Sequence, residues 1–273
     1  MLYLVATPIG NLGDISARAL ETLASVDFIA AEDTRVTLKL LTHFSIKKPL
    51  VSYYEHNKSG SGAMILERLR NGETAALVTD AGMPAISDPG EDMVALCVEA
   101  GVDVVIIPGA CAAVSALALS GLPTGRFTFE GFLSTSAKSR RTHLEELKTE
   151  RRTMIFYEAP HKLKRTLEDM LEAFGDRRIS LSREMTKIHE ETLRTTLSGA
   201  IAYYAEKPPR GEFVLVLEGC AEIKSTETSM DDAISLVRGL MDDGKTQRDA
   251  VKLVAEQTGV SKNALYSAVV ASS

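Results

Sequence analysis

Two apolar, strand-forming runs, each followed at once by a glycine–proline turn, constrain the fold of this chain most strongly. Residues 74–79 (TAALVT) lead into the turn DAGMPAISDPG, and residues 102–107 (VDVVII) lead into PGACAA. Runs that are apolar on both faces are typical of parallel strands covered by helices on both sides. In such an open α/β sheet, ligands bind in the crevice beyond the carboxyl ends of the strands. The sequence therefore predicts the place of the functional site.

Strand and helix patterns alternate regularly over the first 120 residues, which indicates parallel strands joined by helical crossovers. Apolar residues at helical spacing between Ala19 and Ala24 predict a first helix, which either Asp14 or Ser16 can cap. The remaining predicted strands lie at residues 2–6, 28–31 and 49–53, and the remaining helices at 36–44, 63–69, 92–100 and 112–119.

The sequence GLPTG at residues 121–125 is the best candidate for a domain boundary. Beyond it, strands and helices alternate less evenly, which predicts a second, mixed α/β domain. Its predicted strands lie at residues 127–131, 153–157, 179–182, 192–196 and 212–217, and its helices at 142–148, 163–174 and 200–205.

A polar stretch at residues 222–229 leads to a helical tail that begins at Asp231. Two helical patterns separated by Thr258-Gly259-Val260-Ser261 are typical of a helix–turn–helix, although a three-helix cap on the body explains them as well. The predicted fold class is α/β, with two α/β domains at residues 1–120 and 126–221 and a small C-terminal helical tail at 230–273.

Composition narrows the functional classes. A net charge of −6 disfavours binding of nucleic acid over the whole surface, but residues 138–152 hold six basic and three acidic side chains. That surplus fits contacts to phosphate or a solvated helix face with ion pairs. The scattered cysteines Cys97, Cys111 and Cys220 predict neither a disulfide framework nor a metal site. No apolar run approaches a membrane span of about 20 residues, and the absence of a basic leader predicts a cytoplasmic protein.

Several common cofactor-binding and catalytic motifs are missing from the sequence. The first loop, ATPIGNLGD at residues 6–14, does not match the G-x-G-x-x-G fingerprint, because Pro8 and Ile9 occupy the critical turn. NAD or FAD in the usual mode is therefore disfavoured. The chain also lacks a G-x-S-x-G elbow, a P-loop lysine and an H-E-x-x-H pair.

Several strand ends carry polar groups instead. Residues 31–35 (AEDTR) and 53–57 (YYEHN) follow strands of the first domain, and residues 156–162 (FYEAPHK) and 183–187 (REMTK) follow strands of the second. Acidic residues at a helix start are also favoured by the helix dipole alone. If the two domains face each other, these groups close a cleft over the first domain.

These motifs, together with LYLVATPIGNLGDI at residues 2–15 and the segments at 79–90, 107–113 and 211–219, resemble the family of ribosomal RNA small-subunit methyltransferase I. This family lies within the tetrapyrrole-methylase-like group of S-adenosylmethionine enzymes. The resemblance covers residues 1 to about 219 and is weaker in the tail. It implies two domains forming a cleft and a cytoplasmic homodimer. The implied activity is 2′-O-methylation of a cytidine ribose in the decoding region of small-subunit ribosomal RNA.

By position, the resemblance implies a cofactor site for S-adenosylmethionine in four parts of the chain. The implied residues are Pro8, Ile9, Gly10, Asp80, Ala81, Gly82, Met83, Ile86, Cys111, Ala112, Glu158 and Thr186. One departure concerns the loop after Phe132 and Leu133, where many relatives have proline and lysine. Here residues 134–137 (STSA) precede Lys138, which puts the contact made by that loop in doubt.

A ribose hydroxyl is a poor acid, so we expect a general base. The candidates are Glu32 and Asp33, with Arg35 on a phosphate and Glu158 as an alternative base. The target nucleotide must be splayed out of its stack to enter the cleft. The predicted RNA contacts are stacking by Tyr53, Tyr54 and His56, and phosphate binding by Lys138, Arg140, Arg141 and the tail.

Two other functions stay open at this point. A methylase of tetrapyrroles or another small substrate would share the crevice, although such relatives usually have G-x-G-P-G-D in the first loop. A nucleic-acid-binding regulator would use the helix–turn–helix tail and leave the glycine–proline crevice without a purpose. A thermal shift with S-adenosylmethionine separates the regulator from the enzymes, since a ligand of the folded state raises stability.

Overall fold

The structure is a computed structural model, which describes residues 1–54, 58–80, 82–221 and 229–271, with only the backbone of Lys58 and Ser59. It comprises two compact units, Met1–Cys220 and Ala221–Ser273. In the part of the chain that the structure describes, every helix is too short or too polar to cross a lipid bilayer.

The first half of the larger unit is built on a parallel five-stranded sheet in the order β3-β2-β4-β1-β5. Parallel neighbours need crossover connections, and helices supply them. This confirms the predicted α/β architecture. The strands are Leu2–Val5 (β1), Phe28–Ala31 (β2), Leu50–Ser52 (β3), Ala75–Val78 (β4) and Val104–Ile107 (β5).

Helices cover both faces of this sheet, and the strands β2 and β4 are buried throughout, as their apolar runs predict. The first helix is capped by Ser16, whose hydroxyl accepts from the amide of Ala19. Strand β5 begins two residues later than expected, because Val102 still donates its amide to the last turn of the preceding helix at Cys97. The helices are Ala17–Ser25 (α1), Thr34–His43 (α2), Lys58–Arg70 (α3), Glu91–Glu99 (α4) and Ala112–Leu119 (α5).

The second half has a mixed five-stranded sheet in the order β6-β7-β10-β8-β9, in which only β6 and β7 run parallel. Its strands are Phe127–Phe132 (β6), Thr153–Glu158 (β7), Arg178–Arg183 (β8), Glu191–Thr196 (β9) and Phe213–Leu217 (β10). Its helices are Ala137–Glu146 (α6), Leu163–Phe174 (α7) and Leu197–Glu206 (α8).

Helix α5 joins the two halves of the larger unit. One face of the second sheet packs on the apolar side chains of α6, α7 and α8. The other face, with Ile155 and Val216, packs on Ala113 and Ala116 of α5. The alanine-rich composition of α5 thus has a reason, since small side chains let the second sheet approach closely.

The smaller unit contains Met230–Asp242 (α9), Gln247–Thr258 (α10) and Lys262–Ala271 (α11). Their apolar faces form a separate core around Val237, Val254 and Leu265. Helix α10 ends at Gly259, which adopts the left-handed conformation that glycine tolerates without a Cβ clash. These helices agree with both interpretations of the tail, the cap and the helix–turn–helix, which stay predictions.

Candidate active-site cleft

The cleft lies where the carboxyl ends of the parallel strands face the second sheet. Two adjoining cavities occupy it. The first has a volume of about 170 Å³ and is lined from both halves, for example by Ile86, Cys111 and Phe213. The second has a volume of about 410 Å³ and lies between the loop after β1 and helix α2. Ile9, Lys187 and Glu212 line both cavities.

The structure brings most of the predicted cofactor residues to these cavities. Those that line the first are Ile9, Met83, Ile86, Cys111, Ala112 and Glu158. Those that line the second are Pro8, Ile9, Gly10 and Asp80. Gly82 lies against the side chain of Ile9, and the hydroxyl of Thr186 lies against Gly10. Ala81 lies outside the described residues. Their assignment to a cofactor stays a prediction.

The turn after β4 depends on Gly82. Thr7 donates its amide to the carbonyl of Gly82 at 3.0 Å, and the amide of Gly82 donates to the Thr7 hydroxyl at 3.1 Å. Gly82 has a φ of +100°, and a Cβ there would lie 2.9 Å from the Ala110 carbonyl oxygen and from Cγ2 of Ile9. Only glycine lets the loops after β1, β4 and β5 meet this closely.

Backbone strain is concentrated in the same place. Four non-glycine residues of the loops after β4 and β8 have positive φ. The values are +65° for Ala85, +64° for Ser87, +49° for Glu184 and +66° for Thr186. Such conformations cost about 1–3 kcal/mol each and collect at ligand sites. The hydroxyl oxygen of Thr186 is also buried without a hydrogen-bond partner among the described residues. An unpartnered buried hydroxyl is a place where a ligand can bind.

Glu158 and Tyr157 are held firmly at the end of β7. The buried Glu158 carboxylate accepts from the Ala159 amide at 2.8 Å and from the Thr166 hydroxyl at 2.5 Å. The hydroxyl of Tyr157 accepts from the amide of Ala113 at 3.2 Å, and burial raises the pKa of Tyr157 to about 12. The phenol therefore stays neutral at physiological pH.

The predicted catalytic group Glu32, Asp33 and Arg35 follows β2 directly. Hydrogen bonds from the Arg35 side chain, at 3.0 and 2.6 Å, hold the pKa of Asp33 at about 2. The same carboxylate caps helix α2 by accepting from the Arg35 amide at 2.8 Å. Burial, by contrast, raises the pKa of Glu32 above its ordinary value. Of the two carboxylates, Glu32 has the greater proton affinity.

Asp88 is a site residue that the sequence analysis did not single out. It lines the first cavity, and burial, followed by the charges of Glu32 and Asp80, raises its pKa to about 6. Glu212 adds a further negative charge near it. The sequence did point to this region, since Asp88 lies within the glycine–proline turn. The turn pattern by itself does not indicate which of its side chains faces the cavity.

Two predicted RNA contacts are wrong. Tyr53 is 1% exposed and packs in the core, so it presents no face for stacking. Arg140 is 4% exposed, because its guanidinium donates to Asp169 at 2.6 Å and to the carbonyls of Ser134 and Thr135 at 3.1 and 3.3 Å. Arg140 thus ties down the very loop in which the sequence departs from its relatives.

The other RNA candidates that the structure describes do not line either cavity. Tyr54, Lys138 and Arg141 are exposed, and His56 lies outside the described residues. Nε of Arg141 lies 3.9 Å from Oδ1 of Asp169, which leaves most of its side chain in solvent. These three exposed residues keep their predicted role as a proposal.

Comparison with known proteins gives consistent results. The model of the family "Tetrapyrrole (Corrin/Porphyrin) Methylases" matches residues 1–201. Ribosomal RNA small subunit methyltransferase I of Synechocystis sp. is 49% identical over 267 residues, which cover 97% of this chain and 96% of that protein. The protein of the same name from Halalkalibacterium halodurans is 50% identical over 268 residues, which cover 97% of this chain and 93% of that protein.

A solved structure shares the fold at low sequence identity. Uroporphyrin-III C-methyltransferase from Thermus thermophilus, in complex with S-adenyl homocysteine, has a TM-score of 0.56 and 18% identity, covering 80% of this chain and 96% of that one. The chain therefore belongs to the tetrapyrrole methylase family and, within it, to the family of ribosomal RNA small subunit methyltransferase I.

Proposed function

We propose that this protein uses S-adenosylmethionine to methylate the 2′-oxygen of a cytidine ribose in the decoding region of small-subunit ribosomal RNA. The main observation in support of this proposal is the pair of adjoining cavities, since methyl transfer needs a donor and an acceptor side by side. Relatives that match 97% of the chain are named for methylation of small-subunit ribosomal RNA. The protein acts in the cytoplasm as a homodimer.

The residues of the first cavity fit the methyl donor. Ile86, Met83 and Ala112 supply apolar and small side chains for an adenine, and carboxylates such as Asp88 and Glu158 suit its cationic groups. The unpartnered hydroxyl of Thr186 offers a further hydrogen bond. When bound, S-adenosylmethionine supplies a methyl group that a ribose oxygen can attack, with the bonding electron pair leaving on sulfur.

Positioning accounts for most of the catalysis. A direct displacement needs the attacking oxygen in line at about 3–3.5 Å, and such positioning contributes roughly 7–11 kcal/mol. A single general base typically adds about 10²–10⁴-fold. The strained loops at residues 85–87 and 184–186 hold the walls of the cleft in place before a ligand arrives. The lack of an obvious catalytic dyad in the sequence is therefore compatible with this reaction.

Glu32 is our proposed base. Its carboxylate takes the proton of the ribose hydroxyl, and its raised pKa matches that task better than the pKa of Asp33, which is about 2. Asp33 instead orients Arg35, whose side chain is 86% exposed and can meet a phosphate from solvent. Glu158 stays an alternative, although two hydrogen bonds already occupy its carboxylate.

The homodimer is supported by exposed apolar side chains on one edge strand of each sheet. Ile106 on β5 and Phe127 on β6 are large apolar residues that solvent reaches. Exposed apolar patches mark interaction sites in soluble proteins. Sedimentation of the purified protein at several concentrations measures the association directly.

Methylation of ribosomal RNA tests the proposal. Small subunits from cells that lack this protein are incubated with the purified protein and methyl-labelled S-adenosylmethionine, and labelled positions are mapped by the resistance of 2′-O-methylated ribose to alkaline cleavage. We expect one labelled cytidine in the decoding region. A label on a base, a label elsewhere, or methylation of a tetrapyrrole in place of RNA contradicts the proposal.

A further inference from the structure

We infer that the second cavity, between the loop after β1 and helix α2, binds the acceptor nucleotide after it has left the RNA stack. This inference rests on the proposed function. The binding surface on α2 lies apart from the residues predicted from the sequence to stack on bases or bind phosphates.

The size and walls of the second cavity suit a nucleoside. Its volume of about 410 Å³ lies within the range of about 300–1,000 Å³ that is typical of small-molecule sites. Leu12 forms part of one wall, Val36 and Lys39 form part of the opposite wall, and Asp80 lies at the carboxyl end of β4 between them. A base and a ribose fit between these walls.

The apolar side chains of these walls are unusually exposed for their position. Leu12 and Val36 are each 40% exposed, although both line a crevice. Apolar side chains that border a cleft but do not fill it provide a surface on which a base can pack. The face of helix α2 with Val36 is thus suited to a planar ring.

The charges of the cavity suit a nucleotide as well. Lys39 lies on its wall without an ion pair among the described residues, and Lys187 lies on the opposite side, 3.0 Å from Glu184. Cationic side chains on the walls of a cavity can bind the phosphates that flank a splayed nucleotide. Asp80, whose amide donates to Glu32 at 3.5 Å, brings the proposed base to the ribose end.

The connection between the two cavities matches the direction of transfer. Ile9, Lys187 and Glu212 line both, so the two cavities adjoin at these side chains. A ribose held in the second cavity can therefore present its hydroxyl to the first. Tyr54 and Arg141 line neither of these two cavities.

Steady-state kinetics with matched variants test this site. Val36→Asp places a charge on the cavity wall, whereas Leu38→Asp places one on the same helix at a side chain that is 55% exposed and away from the cavity. We expect Val36→Asp to raise the KM for small subunits at least about tenfold, in line with the loss of one stacked base. We expect Leu38→Asp to leave this KM unchanged, and both variants to bind S-adenosylmethionine like the wild type.

A cross-link locates the nucleotide independently. RNA with 5-iodocytidine at the target position is irradiated with the wild-type protein, and the attached peptide is identified by mass spectrometry. We expect attachment within residues 7–12 or 34–40. Attachment elsewhere, or equal KM values for Val36→Asp and Leu38→Asp in a wild-type protein that methylates RNA, overturns this inference alone. A wild-type protein that does not methylate RNA overturns the proposed function too.

Discussion

The backbone amide of Asp80 donates to Oε2 of Glu32 at 3.5 Å, which joins the carboxyl ends of the neighbouring strands β4 and β2. Oδ1 of Asp80 in turn accepts from the amide of Asp33 at 3.3 Å. These contacts hold acidic side chains in a fixed arrangement beside the second cavity. Burial raises the pKa of Glu32 despite the hydrogen bond from Asp80, whereas the hydrogen bonds from Arg35 lower the pKa of the adjacent Asp33.

The exchange Glu32→Gln removes the proposed base while keeping the shape of the side chain. We expect the single-turnover rate of RNA methylation to fall about 10²–10⁴-fold, because the ribose proton has no acceptor. Binding of S-adenosylmethionine should be retained. The rate of the wild type should rise with pH through the raised pKa of Glu32, and the variant should lose that rise. A normal rate in Glu32→Gln contradicts the assignment.

Asp88→Asn should change the pH dependence of stability. Burial raises the pKa of Asp88 from 3.8 to about 6, so the folded state favours the protonated carboxyl. The stability that this group contributes is fully present below pH 4 and is lost as the pH rises through about 6. The variant should therefore melt at nearly the wild-type temperature at pH 4 and at a higher temperature at pH 7.5. A difference that is constant over this range shows that Asp88 titrates normally.

Arg140→Ala should destabilise the protein, because it leaves the Asp169 carboxylate buried without its partner. Breaking a buried pair in this way costs about 3–5 kcal/mol, which urea unfolding measures. Arg141→Glu provides the contrast, since this side chain is mostly exposed. It should leave unfolding nearly unchanged, weaken RNA binding and reduce its salt dependence. Equal losses of stability in the two variants would refute the distinction.

Gly82→Ala should disrupt the packing of the loops after β1, β4 and β5 against one another. The added Cβ lies 2.9 Å from backbone and side-chain atoms, in addition to the strain of a φ of +100°. Gly72→Ala is a matched control, since its φ of +91° gives similar strain with no atom within 4 Å. We expect about 1–2 kcal/mol of lost stability for Gly72→Ala and a larger loss for Gly82→Ala. Only Gly82→Ala should also weaken binding of S-adenosylmethionine, as measured by calorimetry.

Thr186→Val should separate ligand binding from stability. Its hydroxyl has no partner among the described residues, so removing it should not lower the free energy of unfolding. If that hydroxyl binds the methyl donor, the affinity for S-adenosylmethionine should fall about twofold to tenfold. Thr7→Val is the control, because the Thr7 hydroxyl donates a hydrogen bond to the Thr79 carbonyl at 2.9 Å. Loss of this hydrogen bond should lower the free energy of unfolding. If the affinity of Thr186→Val for S-adenosylmethionine is unchanged, the hydroxyl does not bind the methyl donor.

Much of the fold could be predicted because local patterns dominate in it. The apolar runs of β2 and β4 required cover on both faces, and the helix predicted at residues 163–174 has the same bounds as α7. The turns with Gly82 and Cys111 marked the edge at which the cleft lies. Tyr53 and Arg140 were misassigned, because an aromatic or basic residue looks the same in sequence whether it meets solvent or the core.

The amino-acid sequence alone determined the alternation of strands and helices, the edge where the loops converge and the family, since these follow from patterns along the chain. Only the tertiary structure decided that Arg140 is a buried anchor, that Asp88 lines the first cavity and that Val36 borders a second one. Burial and proton affinity depend on neighbours that are distant in sequence, such as Asp169 for Arg140 and Glu32 for Asp88. No local pattern encodes those neighbours, because α6 meets α7, and the loop after β2 meets the loop after β4, only when each half of the larger unit folds.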